Sequence, residues 1–278
     1  MLRRKAVYFF AISIMLLFSV FYSSSVYAKQ VSVCESDFIF LNDIHGKGLW
    51  AKYITDNDAF NWNGQLGIDW DIFRYKNYYG YLLVNIETII ERNGSDFNFN
   101  PDYIRYMLEP GLRIEGNRAD LLLIYHHVCR HDVDRFDNST EEWNILGLKL
   151  ESKEHKPGEF NPQIKYIWRP YGNVSFGKYV SSTDVSYDWD GVLKIGFNIL
   201  EYKNLLFYME NTTHLITQKQ DRPSGKKYFI DTTIEPGVKI FGKKGEIALF
   251  CQYRHEHDVD IYNGTTEDWG LVGVRYEW

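Results

Sequence analysis

The sequence predicts an all-β fold, a twelve-stranded antiparallel transmembrane β-barrel made of two tandem six-strand repeats. Three observations carry that prediction. Apolar and polar residues alternate with period two, as in Leu66, Ile68, Trp70 and Ile72 against Gly67, Asp69 and Asp71, which is the pattern of a strand with one apolar face. Motifs recur at a fixed offset: Glu109-Pro110-Gly111 returns as Glu235-Pro236-Gly237, and 235 − 109 = 126. Beyond residue 28 no stretch approaches the ~20 apolar residues of a spanning helix, so a membrane crossing has to be made by a closed sheet.

The first 28 residues stand apart. Arg3, Arg4 and Lys5 form a positive head, an apolar run follows from Val7 to Tyr22, and Val26-Tyr27-Ala28 offers a small-residue cleavage site. This is the layout of a secretory signal, with a mature chain starting at Lys29. Removing it lowers the basic count from 31 to 28 against 37 acids, so the formal charge becomes 28 − 37 = −9. An acidic chain without a basic run argues against a nucleic-acid partner. Cys34, Cys129 and Cys251 are odd in number and lack metal spacing, so they read as neither a disulfide framework nor a ligand set. Aromatic residues make up 17% of the chain, 21 of them tyrosine, which suits a barrel with aromatic girdles at both membrane interfaces.

The repeat sets the organisation. His131-Asp132-Val133-Asp134 returns as His257-Asp258-Val259-Asp260, and Trp143 and Gly147 return as Trp269 and Gly273. From 109 to 151 the copies align without a gap at about one-third identity. Upstream, Tyr75-Lys76-Asn77 matches Tyr202-Lys203-Asn204, Trp62 matches Trp189, and Lys52-Tyr53 matches Lys178-Tyr179. The reading is therefore 1–28 signal, 29–37 periplasmic N-terminal segment, 38–151 first repeat, 152–163 periplasmic turn and 164–278 second repeat.

Strands are expected in the first copy near 38–54, 65–74, 78–90, 103–115, 119–131 and 142–151. In the second they are expected near 164–180, 191–200, 204–215, 228–241, 245–257 and 268–278. Gly46, Gly48, Pro170 and Gly172 interrupt the opening strand of each copy. Short turns such as Arg74–Asn77 and Gly116–Arg118 alternate with longer polar loops at 92–100 and 132–141, as in membrane barrels with short periplasmic turns and long external loops. The mid-strand Glu-Pro-Gly of each copy is expected to mark a bulge, because Pro removes a ladder donor.

Alternation alone does not say which face meets lipid. Long charged side chains deep within strands favour a polar interior. Arg105, Glu109 and Arg113 share one face, Asp231, Glu235 and Lys239 the matching one, and Gln252, Arg254 and Glu256 another. With Asp69, Asp71, His126, Arg130 and Arg275, these are the expected lumen-lining residues. Val272, Val274, Tyr276 and Trp278 share the opposite face. The closing Tyr276-Glu277-Trp278 resembles the terminal signal that the barrel-assembly machinery reads. In general design, residues 38–278 resemble bacterial outer-membrane β-barrel proteins. That resemblance implies the Gram-negative outer membrane as location, with its lipid and lipopolysaccharide as surroundings. A further likeness is to an uncharacterised barrel family with a Tyr-His-x-Ser-Ser-His strand behind an Ala-Asp-Tyr strand. Pro101-Asp102-Tyr103 and Tyr125-His126 fit it, while Val128, Cys129 and Arg130 stand where that family has Ser, Ser and His.

Two clusters bear on chemistry. Outer-membrane lipid hydrolases, the lipid A deacylase and phospholipase families, use a His-x-Ser pair, with the imidazole activating the hydroxyl. No Ser lies within two residues of a His in the strands 119–131 and 245–257. Cys129 shares a face with His127, but that face is the outer one, and the second copy has His255 in place of the thiol. No catalytic residue is assigned on this ground. The loops carrying Asp132, Asp134 and Asp137, and Asp258, Asp260 and Asn263, offer oxygen ligands for calcium or magnesium, or simply turn-forming side chains; no other cofactor is expected. The leading expectation is a passive, porin-like pore for small solutes or a structural surface protein with a charged interior. A lipid-modifying hydrolase is the alternative.

Overall fold

The computed structural model describes residues 38–278, apart from 55–59, 92–100, 133–139, 154–160, 184–186, 220–227 and 258–265. The expected signal and N-terminal segments therefore lie outside the described residues. The remainder forms twelve strands: β1 (Ile39–Tyr53), β2 (Phe60–Tyr75), β3 (Tyr78–Glu91), β4 (Pro101–Ile114), β5 (Ala119–Asp132), β6 (Thr140–Ser152), β7 (Asn161–Ser182), β8 (Tyr187–Lys203), β9 (Leu205–Gln218), β10 (Tyr228–Phe241), β11 (Glu246–His257) and β12 (Thr266–Glu277). Each expected strand is present. Sequential neighbours pair, and β1 pairs with β12 to close the ring.

Closure leaves no edge exposed. Lys47 to Tyr53 run antiparallel to Glu277 to Leu271, and Gly46 and Trp278 exchange both backbone hydrogen bonds at 3.0 Å. Two of the tight turns share one device: Lys76 and Lys203 adopt left-handed φ values of 57° and 56°. The asparagine after each lysine reaches the next hairpin, with Glu115 N donating to Asn77 O at 2.7 Å and Phe241 N to Asn204 O at 2.8 Å.

Pro110 and Pro236 do not make the expected bulges. The β4–β5 register is the same at Leu108↔His127 and Gly111↔Ile124, and the β10–β11 register is the same at Ile234↔Tyr253 and Gly237↔Phe250. Each proline ring points outward, and the missing donor interrupts the ladder without shifting it. The bulges fall elsewhere, notably between Tyr166 and Arg169 of β7, beside Trp168 with its left-handed φ of 45°.

The two faces of the sheet are sorted by polarity. Outward residues are apolar and open: Leu66 is 66% exposed, and Ile68, Leu123, Leu148 and Leu249 each lie near half. Inward residues include the fully buried Asn63 and Asn198 and the nearly buried Glu235. A soluble protein has the opposite arrangement, whereas a membrane barrel places apolar side chains against lipid and polar ones inside. Aromatic rings fill part of the interior by lying over the glycine paired with them on the next strand. Tyr81 covers Gly111, Tyr171 covers Gly196, Tyr208 covers Gly237 and Phe250 covers Gly273. In each case a Cβ on the glycine would sit within 2.7 Å of the ring, so no larger residue fits without expelling the aromatic.

Candidate functional site

Inside the barrel the charges meet partners. Arg113 pairs with Asp71, and Arg105 with Glu87 at 3.1 Å. Glu87 also accepts from Asn63 at 2.8 Å and Gln65 at 3.0 Å. Glu109 accepts from Tyr81 at 3.2 Å and meets His126 Nδ1 at 2.9 Å. Glu235 receives Tyr208 at 2.6 Å and binds both Arg275 and Gln252. Lys239 pairs with Glu246 at 3.1 Å, and Arg254 lies 3.6 Å from Glu256 while donating to Gln252 at 2.9 Å. Arg130 is buried, Asp69 is half-buried between strands, and Asp231 stands opposite His214. His214 in turn meets Asp190 at 2.6 Å. These bonds tie β2 through β5 together and β8 through β12 together.

The expected loop ligands Asp134, Asp137, Asp258, Asp260 and Asn263 lie outside the described residues, and Asp132 is described only as the backbone end of β5. Among the described residues no group of three or more His, Cys, Asp or Glu is arranged to hold a metal ion. Tyr276 and Trp278 lie on the outer face with rings stacked at 5.3 Å.

The arrangement with chemical order is on the outer face, at the external end of β5 and β6. Strand alternation turns Tyr125, His127 and Cys129 outward together, and the hairpin register sets His127 opposite Asn144 of β6. His127 Nδ1 meets Asn144 Oδ1 at 2.7 Å, and the other ring nitrogen, Nε2, faces Cys129 Sγ at 3.8 Å. Asn144 is buried. Its oxygen also accepts the Tyr125 hydroxyl at 2.7 Å, while its Nδ2 donates to Ser181 Oγ of β7 at 2.8 Å. With the amide so oriented, the Nδ1–H tautomer of His127 is the one that donates to Asn144, and it leaves the Nε2 lone pair facing the thiol. Thiol, imidazole and amide thus stand in the order of a Cys-His-Asn arrangement.

The second half carries a related cluster without a thiol. Tyr253 and His255 of β11 both bind Asp268 Oδ1 of β12, at 2.8 and 2.7 Å. Sequence reasoning found His127 and Cys129 on one face but not Asn144. The β5–β6 register held the missing signal, since it alone decides which polar residue of β6 faces the imidazole.

The fold is similar to that of solved outer-membrane barrels. The outer membrane phospholipase A of Escherichia coli aligns with a TM-score of 0.52 at 13% identity, over 86% of this chain and 93% of that one. The Salmonella typhi outer membrane phospholipase, solved as a dimer with bound calcium, aligns with a TM-score of 0.52 at 14% identity, over 88% and 94%. No protein-family model matches the chain, and no curated protein matches it in sequence. At these identities the likeness is one of fold. Combined with the apolar outer face and the polar interior, it makes this chain a β-barrel protein of the bacterial outer membrane.

Proposed function

We propose that this barrel is an acyl-ester hydrolase acting on lipids of the membrane around it, with Cys129 as nucleophile, His127 as general base and Asn144 as positioning residue. One observation carries the reading. The two nitrogens of a single imidazole are shared between a thiol and a buried amide, in the order that acyl transfer requires. The outward aspect suits the substrate, because the ester bonds of a bilayer lipid lie at the depth of the barrel rim and never enter its lumen. The shared fold with proteins named as phospholipases makes a phospholipid ester the first substrate to test.

In this reaction His127 Nε2 takes the Sγ proton as sulfur attacks the ester carbonyl. The tetrahedral intermediate collapses with loss of the alkoxide, which leaves as the lyso-alcohol after taking the proton from His127. A thioester remains on Cys129. Water, deprotonated by the same imidazole, then cleaves it, releasing the fatty acid and restoring the thiol. The 3.8 Å separation is loose for a proton transfer, as resting sites often are before substrate seats.

We read the paired interior charges and the rings lying over glycines as favouring a barrel shut to solutes rather than a pore. The deciding test is fatty-acid release from phospholipid micelles by the purified, folded chain. Cys129→Ala should remove at least 99% of the rate while leaving the heat-modifiable band unchanged. Equal release by the variant, or none by the parent chain, rules out the thiol mechanism.

A further inference from the structure

On the outer face, at the external end of β1 and β2, three side chains form a stack. The Trp50 ring lies over Gly64 and stacks on Trp62 at 5.3 Å, and the Lys52 ammonium sits 5.4 Å from the Trp62 ring centre. The arrangement returns six strands away, on the opposite side of the ring. There Phe176 stacks on Trp189 at 4.8 Å, with the Lys178 ammonium 5.1 Å from the ring. In both places lysine and tryptophan are direct cross-strand partners. The lysines are separated by 178 − 52 = 126 residues and the tryptophans by 189 − 62 = 127.

Both lysines are exposed, and among the described residues neither has a carboxylate within ion-pair distance. Elsewhere in the barrel, lysines such as Lys149, Lys194 and Lys239 are paired with acids. A cation at the lipid-facing rim, held in place by an indole face and with no acidic partner among the described residues, offers a place for an anion. Below Lys52 an apolar crevice of about 950 Å³ opens on the outer wall, lined by Trp50, Trp62, Leu249, Val272 and Val274 among others. That volume lies within the range of small-molecule sites, roughly 300–1,000 Å³.

We infer that Lys52–Trp62 and Lys178–Trp189 are two clamps for the phosphate of an acidic membrane lipid, and that the crevice below the first clamp takes an acyl chain of the lipid bound there. The ammonium meets the headgroup, the indole sits at headgroup depth where such rings are favoured, and the apolar wall continues below. The first clamp, on β1 and β2, lies three strands from Cys129 on β5 and does not depend on the thiol chemistry. The second lies two strands from β5, about 10 Å at ordinary strand spacing, so a lipid held there lies beside the triad.

The test is lipid retention by the full-length chain carrying Cys129→Ala, which keeps both clamps and cannot turn substrate over. Native mass spectrometry in detergent compares phosphatidylglycerol with phosphatidylcholine of the same acyl chains. Two phosphatidylglycerol molecules should be retained in preference to phosphatidylcholine. Lys52→Gln and Lys178→Gln should each weaken one of them about fivefold, the factor a single lysine is worth near a charged lipid surface. Both substitutions are on exposed side chains, and heat-modifiability checks that each variant is folded. Equal retention of the two lipids, or no change in either variant, overturns the inference and leaves the stacks as nonspecific interface anchors. Equal competition by millimolar inorganic phosphate overturns the lipid as occupant. A lysine-dependent dimer with no lipid retained would give the surface to a second copy of the chain.

Discussion

Removing Asn144 isolates what the positioning amide contributes. Its oxygen accepts from His127 and Tyr125 at 2.7 Å each, and its nitrogen donates to Ser181 at 2.8 Å. Asn144→Ala deletes all three bonds. Two neutral bonds on the amide oxygen are worth about 1–1.5 kcal/mol each. If both serve to hold the imidazole in its reactive tautomer, about 2–3 kcal/mol of transition-state stabilisation is lost, and kcat falls about 30- to 150-fold at one decade per 1.36 kcal/mol. KM should hardly move, because the amide does not touch lipid. Alkylation of Cys129 by iodoacetamide should slow in parallel, since the same imidazole generates the thiolate. Asn144→Asp keeps an oxygen opposite Nδ1 and should recover most of the rate, which a merely structural defect would not allow. The assay is fatty-acid release with parallel thiol labelling, on protein shown to be folded by its heat-modifiable band. A folded Asn144→Ala chain with kcat within twofold of the parent would refute the positioning role.

Other consequences follow from the interior and the turns. Glu235→Ala should lower the unfolding free energy by about 1–3 kcal/mol, because it leaves the half-buried Arg275 and the Tyr208 and Gln252 donors without their acceptor; the urea midpoint of the heat-modifiable band reads this, and a shift under 1 kcal/mol would show that the pair relaxes to water. In planar bilayers the chain should give no discrete conductance steps, and stable steps would reinstate the pore reading. At the turns, Lys153 bridges Glu115 at 3.1 Å and Asp120 at 2.8 Å. Burial raises the Glu115 carboxyl, but hydrogen bonds from Tyr79 and Lys153 outweigh it and hold the group below its ordinary 4.5. Burial likewise lowers Lys153, while Asp120 and Glu115 outweigh it and hold the ammonium above 10.5. The Glu115 contribution is therefore present above pH 4.5 and is lost as pH falls through its lower folded value. That of Lys153 is present below 10.5 and is lost as pH rises through its higher one. Both groups are more than a third exposed, so Lys153→Ala should cost only about 0.2–1 kcal/mol at pH 7. The difference should shrink toward pH 3 and in 1 M salt, and a pH-independent difference would exclude the ionic contact.

The strands were legible because a sheet with lipid on one face and charge on the other writes its period into every segment. Leu66, Ile68 and Trp70 against Asp69 and Asp71 are enough to place β2. The short turns were legible from Lys76-Asn77 and Lys203-Asn204. Pro110 and Pro236 misled because a missing donor was equated with a register change, whereas a barrel strand held from both sides keeps its register across one absent bond. The triad was only half legible. His127 and Cys129 lie on one strand, where alternation fixes their common face. Asn144 lies on the next, and only the hairpin register sets it opposite the imidazole.

A lipid-facing site has no cleft walls to hold its parts, so its geometry has to come from the sheet. Cys129 and His127 are fixed relative to each other by one strand, but the alignment of His127 with Asn144, and of Asn144 with Ser181, depends on β5, β6 and β7 not sliding. The interior bonds supply that restraint. His126 is the immediate neighbour of His127 on β5, and its Nδ1 is tied to Glu109 of β4 directly behind the site. Ile145, next to Asn144 on β6, packs with Tyr179, Tyr187, Ile216 and Phe229 in the lumen. His127 and Asn144 therefore each have an inward neighbour held by interior contacts. On the proposed reading, the side chains packed inside β5, β6 and β7 are what keep the outward site in register.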